Sequence, residues 1–346
     1  MEASKIMIEG NTKMEWEEVG KKISGAKRIL ISTHENPDGD GLGSELAMAQ
    51  YLKRSSVDFK IINTSPLPQE YLFLDKDGLF ETYNKEDHSA WIKSADLAII
   101  FDVGNFVRCR KVFEEITENN IDTINIDHHP HPENHPFTLN IVDLNAAATG
   151  CMVFDFLKHN MSVPLNKQML IGIYTAVMTD TGCFRHSNTD EKCHLIAIET
   201  LNVGVDTNAI YQRVYENSTK TRIALLGRIL TDIHYELDGT LAWFQITKKM
   251  LIDAKATKSD VDGFTDFVRS INGVQVALMI FEQLDGTCRI NLRGKGKYSV
   301  NGIANTLGGG GHRLAAGAIV NGSLHHVKEN VINMAIQSIQ EEQSLV

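Results

Sequence analysis

The segment that decides the fold runs from residue 28 to residue 54 and reads RILISTHENPDGDGLGSELAMAQYLKR. Its first five residues predict a short buried strand, because a brief apolar run is bounded by polar residues. The second half places apolar side chains at helical spacing, at Leu42, Leu46, Ala49 and Leu52. A strand that passes through a polar turn into a helix is the repeating unit of parallel α/β sheets, so this segment predicts such a sheet.

Strands and helices continue to alternate through the first half of the chain. ADLAIIFD (residues 95–102) and DTINID (122–127) are two further strand candidates. KQMLIGIYTAVMTDTG (167–182) is a helix candidate whose apolar side chains share one face, at Leu170, Ile173, Tyr174 and Val177. We therefore expect an N-terminal α/β domain with a parallel sheet and helices on both of its faces.

The second half shows a different pattern. A helical stretch is expected from about residue 208 to 231. Three strand candidates follow it: TLAWFQIT (240–247), GVQVALMIFEQ (273–283) and TCRINLRG (287–294). The LDG tripeptide at 284–286 predicts a hairpin turn between the last two, and a final helix is expected over residues 325–340. This pattern indicates a smaller α/β domain with a mixed sheet.

The length of 346 residues favours two domains. We expect a catalytic domain over residues 1–205, a helical linker over 206–230 and a substrate-binding domain over 231–346. A net charge of −10 argues against a general binder of duplex DNA, which usually presents a broad basic face. A small phosphorylated substrate remains compatible with that charge, because bound divalent cations invert the charge locally.

Cysteine usage and hydropathy indicate a cytoplasmic protein. The five cysteines form no CxxC pair, which argues against a disulfide framework or a thiolate zinc site. No apolar run approaches the ~18 residues that a membrane helix needs. The first ten residues, MEASKIMIEG, contain no hydrophobic region of a signal peptide.

Acidic and imidazole groups follow the predicted strands at the points where the strands end. Three segments contain most of them, THENPDGDG, FDVGN and NIDHHP, and Asp180 lies at the end of a helix candidate. The other residues are His34, Asp38, Asp40, Asp102, Asp127, His128 and His129. Ligands of open α/β sheets bind at the carboxyl ends of the strands, so we expect these groups to converge. Each of these residues, taken alone, could have a purely structural role. Asp40, for example, could be no more than the N-cap of the following helix.

As a set, these groups predict a metal centre. Crowded carboxylates repel one another, and burying them without counter-ions is costly. Ligation by carboxylates and imidazoles suits manganese better than zinc. Several shared carboxylates suggest two ions about 3.5–4 Å apart, as in enzymes that displace phosphoryl oxygens.

Five motifs in order resemble the DHH phosphoesterase superfamily. They are HENPDGDGLGS, FDVGN, DHHP, MTDTGCF and GGGGHRLAAGA, and they extend from Thr33 to Ala318. The last resembles the DHH-associated domain, which makes residues 1–205 the DHH domain. The two-domain layout is most similar to the group of nanoRNases and pAp phosphatases, where pAp is 3′-phosphoadenosine-5′-phosphate.

The resemblance implies two manganese ions that share Asp102, although magnesium or cobalt remains open. The further ligands would be His34 and Asp38 at one ion, and Asp40, His128 and Asp180 at the other. The resemblance implies that Asp127 orients a ligand histidine. It also implies that His129 contacts the substrate phosphate, or donates a proton to the leaving group. A hydroxide bridging the two ions would be the nucleophile of an in-line attack.

Two further histidines, His131 and His135, match no motif of the superfamily. Three prolines flank them, at Pro130, Pro132 and Pro136. We expect them to lie in a rigid, solvated loop.

The glycine-rich tract of the second domain is a candidate phosphate site. It lacks the Lys-Ser/Thr of a Walker loop, but its backbone N–H groups can approach a phosphate closely. The candidates are Gly309, Gly310, Gly311, His312 and Arg293, which the resemblance places opposite the metals across a cleft. Arg185, after the ligand Asp180, is a further candidate. Each candidate has a structural alternative. The glycine-rich tract could be only a flexible turn, the segment around Arg293 only a solvated edge strand, and the segment at Arg185 only a loop.

The expected activity is degradation of short single-stranded RNA oligonucleotides to mononucleotides, with phosphatase activity on pAp. Aromatic residues make up 7% of the chain and no aromatic–basic run occurs, which favours short substrates over long strands. A phosphodiesterase acting on linear or cyclic dinucleotides and a manganese pyrophosphatase are alternatives within the superfamily. An RNA-binding module with a decayed site is the non-enzymatic alternative. The sequence does not determine the oligomeric state, so a homodimer remains one of the alternatives.

Overall fold

The computed structural model describes residues 10–55, 57–132 and 134–344. The chain divides into two compact units between Asn217 and Ser218. Each unit is built on its own six-stranded sheet. Among the described residues, no helix is both long and apolar enough to cross a membrane.

The first unit contains a parallel sheet with the strand order β3-β2-β1-β4-β5-β6. Every neighbouring pair in it is parallel. The strands are β1 (Arg28–Ser32), β2 (Asp58–Asn63), β3 (Phe80–Thr82), β4 (Leu97–Phe101), β5 (Asp122–Asp127) and β6 (Leu139–Val142). The chain order reverses direction across the sheet beside β1 and β4, which is where ligands of such sheets bind.

Helices cover both faces of this sheet. They are α1 (Gly10–Gly25), α2 (Gly39–Leu52), α3 (Lys85–Ile92), α4 (Lys111–Glu118), α5 (Thr149–Asn160), α6 (Lys167–Asp180), α7 (Glu191–Asn202) and α8 (Thr207–Tyr215). Ile29 and Ile31 of β1 pack into the core that contains α1, α2, α5, α6 and α7. Leu30 between them packs into the core that contains α3 and α4. This alternation is the two-residue period of a strand buried on both faces.

The second unit contains a mixed sheet with the strand order β11-β12-β10-β9-β8-β7. The pair β8–β9 is parallel and the other pairs are antiparallel. The strands are β7 (His234–Glu236), β8 (Leu241–Ile246), β9 (Val276–Glu282), β10 (Thr287–Gly294), β11 (Gly310–His312) and β12 (Ala315–Asn321). The helices are α9 (Lys220–Leu230), α10 (Lys248–Ala254), α11 (Phe264–Arg269), α12 (Asn301–Thr306) and α13 (Leu324–Ser344).

The predicted α/β class, with a parallel and a mixed sheet, is confirmed. The helical stretch expected over residues 208–231 is interrupted, because α8 ends at Tyr215 and Thr219 caps α9 through a hydrogen bond to Arg222 N. Ile210 of α8 packs in the first unit, whereas Leu225 of α9 packs in the second. The segment expected to be a linker thus contributes one helix to each unit.

Close packing of α2 against α6 sets the spacing of two site-bearing helices. A Cβ atom on Gly43 would lie 2.2 Å from Gly172 O, and one on Gly172 would lie 2.5 Å from Gly43 O. The two helices therefore approach backbone to backbone. Asp38 immediately precedes α2 and Asp180 ends α6, so this contact helps to fix the distance between the backbone positions that carry the two carboxylates.

Replacing Gly172 with Ala should destabilise the first unit by about 1–3 kcal/mol, because the added methyl group has no room. Gly227→Ala on α9 is the matched control, since a Cβ there meets nothing within 4 Å. It should be neutral or stabilising by up to about 1 kcal/mol, as expected for a helical glycine. Thermal unfolding followed by circular dichroism measures both. A Gly172→Ala protein that melts at or above the wild-type temperature would contradict the packing argument.

Candidate metal centre

Three neighbouring strands deliver polar groups to one edge of the parallel sheet. His34 lies two residues beyond β1, Asp102 directly follows β4, and Asp127 is the last residue of β5. Because β1, β4 and β5 are adjacent and parallel, their carboxyl ends lie side by side. All three side chains are buried.

His34 faces two carboxylates. Its Nε2 lies 3.5 Å from Asp102 Oδ2 and 3.8 Å from Asp38 Oδ2. Its Nδ1 lies 2.8 Å from Glu35 O and 3.0 Å from Arg108 Nη2. A cation on Nε2 requires the proton on Nδ1, and the Glu35 carbonyl is placed to accept it.

His128 faces three carboxylates. Its Nε2 lies 3.6 Å from each of Asp40 Oδ2, Asp102 Oδ1 and Asp180 Oδ2. Its Nδ1 lies 3.1 Å from Ala146 O and donates to it, which leaves Nε2 without a proton in the neutral ring. That Nε2 is buried and has no hydrogen-bond partner among the described residues.

These donor atoms fit divalent cations. In the neutral ring, His128 Nε2 offers a lone pair beside the carboxylate oxygens, and a cation can bind all of these donors together. Atoms that ligate one divalent cation at about 2.0–2.2 Å lie about 3–3.6 Å from one another, which matches the three distances around His128 and the His34–Asp102 distance. The His34–Asp38 distance of 3.8 Å is slightly longer. Oxygen and imidazole donors suit manganese or magnesium and do not distinguish between them.

Asp102 lies between the two clusters. Its Oδ2 faces His34, whereas its Oδ1 faces His128 and lies 3.3 Å from both His129 Nδ1 and Thr149 Oγ1. Its backbone has a φ of +59°, in the left-handed region that costs a non-glycine residue about 1–2 kcal/mol. Burial opposes the charge of Asp102, but hydrogen bonds from His129 and His34 hold its pKa well below the ordinary value.

Asp40 is held by the N-terminus of α5, which sequence reasoning missed. Its two carboxylate oxygens accept hydrogen bonds from the backbone N–H groups of Thr149, at 2.7 Å, and Gly150, at 2.8 Å. Ala148 at the N-cap offers no side chain to these donors. An uncapped helix start among small residues was the available signal.

The alternative of Asp40 as the N-cap of α2 is wrong. Asp38 is the N-cap and accepts from Asp40 N at 3.0 Å and Gly41 N at 3.4 Å. Asp38 therefore uses Oδ1 for the helix and turns Oδ2 toward His34.

The Asp127 carboxylate anchors two histidines. Its Oδ1 accepts from His129 N at 3.0 Å and from His129 Nδ1 at 2.8 Å. Its Oδ2 accepts from His131 Nε2 at 2.7 Å. Burial lowers the pKa of His129, but its hydrogen bonds to Asp102 and Asp127 outweigh burial and raise it to about 11.

The prediction that His131 lies in a solvated loop is wrong. Its side chain is only 5% exposed, because the loop after β5 folds it back under Asp127. His135 also packs inward, with its ring 5.7 Å from that of Phe137. The flanking prolines indicated a loop but gave no direction for the histidine side chains.

A buried polar network ties the ends of three strands together beneath the cluster. Asn63 Oδ1 accepts from Thr33 N at 2.9 Å, and Thr33 Oγ1 donates to Phe101 O at 2.7 Å. Asn63 Nδ2 donates to Glu45 Oε2 at 2.9 Å. Burial raises the pKa of Glu45 to about 8, so its carboxyl group is largely neutral near pH 7. The network therefore fixes the backbone from which the side chains of His34 and Asp102 project.

Arg185 lies in the loop that follows the ligand candidate Asp180. Its Nε donates to Gly182 O at 2.8 Å, and the side chain is exposed. Asn188, from the same loop, donates to Asp180 O at 3.2 Å and to Ala147 O at 2.9 Å. The loop thus ties the end of α6 to the residues before α5.

The candidates of the second unit lie on β10 and β11. Arg293 Nε donates to Asp266 Oδ2 at 3.3 Å, and its Nη1 donates to Asn291 Oδ1 at 2.8 Å. Its guanidinium therefore already pairs with a carboxylate inside its own unit. A substrate phosphate at Arg293 would have to compete with Asp266.

Packing accounts for two of the glycines in the tract. A Cβ atom on Gly309 would lie 2.1 Å from Gly317 O, and one on Gly311 would lie 2.5 Å from Ala315 O. Around Gly310, a Cβ atom would meet only Asn305 Oδ1, at 3.7 Å. The exposed His312 ends β11, which is an edge strand of the mixed sheet. Backbone N–H groups on the outer side of such a strand can face a ligand.

Three of the carboxylates around the two histidines have raised pKa values and hold protons more tightly than usual. Burial and the charges of Asp102 and Asp180 raise the pKa of Asp40 well above its ordinary value. Partial burial and the charges of Asp102 and Asp38 raise the pKa of Asp180 to about 8. Desolvation by the surrounding atoms and the charge of Asp102 also raise the pKa of Asp38, although 55% of its side chain is exposed. Cations that bind here must displace protons.

The metal-free protein should therefore lose stability as the pH rises. Asp40 and Asp180 release protons near pH 4 in the unfolded chain but retain them in the folded one. Their contribution is complete below pH about 4 and is lost as the pH rises toward 8. A divalent cation that binds here would replace the protons, so any rise in Tm caused by added Mn²⁺ should grow between pH about 5.5 and 8. Melting curves with EDTA or Mn²⁺ test this, and a gain that does not change with pH would contradict it.

Comparisons with known proteins agree with this arrangement of motifs. Residues 28–177 match the DHH family, N-terminal domain, and residues 244–342 match the DHHA1 domain. The chain is 29% identical to the bifunctional oligoribonuclease and PAP phosphatase NrnA of Thermus thermophilus, over 94% of this chain and 92% of that protein. It is 25% identical to the protein of the same name from Bacillus subtilis, over 88% of this chain and 92% of that one.

The solved structures include a close match in three dimensions. An exopolyphosphatase-related protein from Bacteroides fragilis superposes with a TM-score of 0.89 and 25% identity, covering 99% of each chain.

Proposed function

We propose a function for this chain from its membership of the DHH phosphoesterase superfamily, which makes it a hydrolase of phosphoester bonds with a DHH domain followed by a DHHA1 domain. The proposed enzyme is a manganese-dependent phosphodiesterase that degrades short oligoribonucleotides to mononucleotides and converts pAp to AMP. The position of His128 Nε2, 3.6 Å from each of three carboxylates, carries the proposal for the metal centre. The names of the relatives from Thermus and Bacillus support the choice of substrates.

We assign the metal ligands by their positions around the two histidines. Asp102 would be shared, with His34 and Asp38 on one side and Asp40, His128 and Asp180 on the other. Two divalent cations held there supply a water nucleophile of lowered pKa and neutralise charge on the phosphoryl oxygens. Manganese is our choice for these donors, and magnesium or cobalt could take its place.

His129 would act on the substrate directly. Its Nδ1 faces Asp127 Oδ1 at 2.8 Å and Asp102 Oδ1 at 3.3 Å, so Nε2 would be the ring nitrogen that contacts a phosphate oxygen or the leaving oxygen. When water attacks phosphorus, the bond to the leaving oxygen breaks and that oxygen needs a proton. A protonated imidazole held by Asp127 can donate it. Gly104 leaves room for this ring, since a Cβ atom there would lie 3.1 Å from His129 Cβ.

The remaining substrate contacts are assigned by chemistry. Arg185, close in sequence to Asp180, would contact a phosphate in the first unit. In the second unit, Gly309, Gly310, Gly311, His312 and Arg293 would bind the part of the nucleotide beyond the cleaved bond. A chain with net charge −10 would bind short single strands through such local contacts better than long nucleic acids.

One assay distinguishes this function from its alternatives. The metal-stripped protein with Mn²⁺ would receive a 5′-phosphorylated RNA dinucleotide, pAp, a cyclic dinucleotide, pyrophosphate and polyphosphate in separate reactions. We expect mononucleotides from the RNA dinucleotide and AMP from pAp. Cleavage of the cyclic dinucleotide alone, or of pyrophosphate or polyphosphate alone, would replace the proposal with the corresponding phosphohydrolase. RNA binding without turnover of any substrate would favour the non-enzymatic module.

Asp102→Asn should reduce kcat by more than about 100-fold, exceeding the 10–100-fold expected when a residue outside the ligand set is lost. The amide retains the shape and tolerates the left-handed backbone, so the fold should survive. Asp122→Asn is the matched control, because this exposed carboxylate begins β5, which ends at the cluster. The kcat of this control should stay within about twofold of the wild-type value, because a surface substitution usually has little effect. Wild-type turnover by Asp102→Asn would exclude the shared-ligand assignment.

A further inference from the structure

His131 lies outside every motif of the superfamily, yet it contacts the aspartate of DHH. Its Nε2 lies 2.7 Å from Asp127 Oδ2, and the two side chains are 5% and 0% exposed. A nitrogen lone pair at that distance would repel the carboxylate, so Nε2 carries the proton and donates it. The ring is thereby fixed in one tautomer.

The two oxygens of Asp127 serve different histidines. Oδ1 accepts two hydrogen bonds from His129, through the backbone N–H and through Nδ1. Oδ2 accepts from His131. A buried carboxylate keeps one orientation only when both oxygens have donors. His131 therefore restrains rotation of the same carboxylate that orients the His129 ring.

The loop holds His131 in place from several sides. Its ring packs edge-on against Phe137, with centroids 5.6 Å apart. Asn125 Nδ2 lies 3.2 Å from His131 Nε2 and donates to Asn140 Oδ1 at 2.8 Å. Asn125 Nδ2 and His131 Nε2–H are both donors, so the Phe137 contact and the hydrogen bond to Asp127 are what fix the ring between β5 and the segment that leads into β6.

A purely structural role explains this histidine poorly. His131 Nδ1 is buried and has no hydrogen-bond partner among the described residues. An apolar ring would fill the same space beside Phe137 without burying an unpaired nitrogen, which costs free energy. The polar contacts of His131 all run through Nε2, and the charged partner there is Asp127.

We infer that His131 is a positioning residue that holds Asp127, and through it His129, in the orientation needed at the substrate. The chain His131–Asp127–His129 extends the DHH motif by one imidazole. Its catalytic consequence rests on the proposed function, whereas its effect on the His129 ring does not. Loss of an orienting partner of this kind typically costs 10–100-fold in activity.

The variants His131→Phe, His131→Gln and His131→Asn test the inference. Phenylalanine retains the ring and loses the donor. Glutamine returns an amide N–H to about the place of Nε2, whereas asparagine is too short to reach it. His135→Phe is the matched control, because His135 packs against the same Phe137 ring and has no hydrogen bond to Asp127.

Steady-state kinetics provide the first readout. We expect kcat of His131→Phe and His131→Asn to fall about 10–100-fold, with KM changed less than about threefold. Most of kcat should return in His131→Gln, and His135→Phe should match wild type. A His131→Phe enzyme with wild-type kcat, or a His131→Gln enzyme as slow as His131→Phe, would overturn the inference.

The second readout does not need turnover. In protein labelled with ¹⁵N-histidine, NMR without metal or with Mg²⁺ should show a low-field Nδ1–H signal of His129, assigned by its loss in His129→Gln. We expect the signal to shift or broaden in His131→Phe and to persist in His131→Gln and His135→Phe. An unchanged signal in His131→Phe overturns the inference. Wild-type protein that cleaves no phosphoester but shows the shift would refute the proposed function alone.

Discussion

The carboxylate of Asp102 is buried between two imidazoles, with Oδ2 3.5 Å from His34 Nε2 and Oδ1 3.6 Å from His128 Nε2. A left-handed backbone at the end of β4 aims it there. Hydrogen bonds from His129 and His34 keep it ionised, while the raised pKa values of Asp38, Asp40 and Asp180 show how strongly the cluster resists more negative charge. The fold concentrates carboxylates whose mutual repulsion is relieved by bound protons or by cations.

Much of the scaffold for this cluster could be predicted from sequence. The parallel sheet buries β1, β4 and β5 on both faces, so short apolar runs predicted these three strands. The strands β2, β3 and β6 were not predicted, because fewer of their residues are buried. Polar residues just beyond the strand ends had to meet at one sheet edge, which brought His34, Asp102 and Asp127 together before any geometry was known. The break between α8 and α9 was missed, because both segments are helical in pattern and differ only in the core against which they pack.

The groups that hold the cluster were largely invisible in sequence. Thr149 and Gly150 act through backbone N–H groups, which carry no residue-type signal. Asn63 and His131 act across 30 and 4 residues, respectively, through contacts that only the folded chain creates. In the glycine-rich tract, composition and packing both bear on the same residues. Its composition suggested a phosphate cradle, but Gly309 and Gly311 are also required by the close approach of β11 to β12. Residue type can suggest a ligand site, whereas the contacts decide how much of the pattern packing already explains.

The central claim is that two cations share Asp102. Anomalous diffraction at the manganese edge from crystals of the Mn²⁺-loaded protein tests it most directly. Our account predicts two anomalous peaks about 3.5–4 Å apart. One peak should contact His34 and Asp38, the other should contact Asp40, His128 and Asp180, and Asp102 should contact both. A single peak that Asp102 does not touch, or no peak within this cluster, would contradict it.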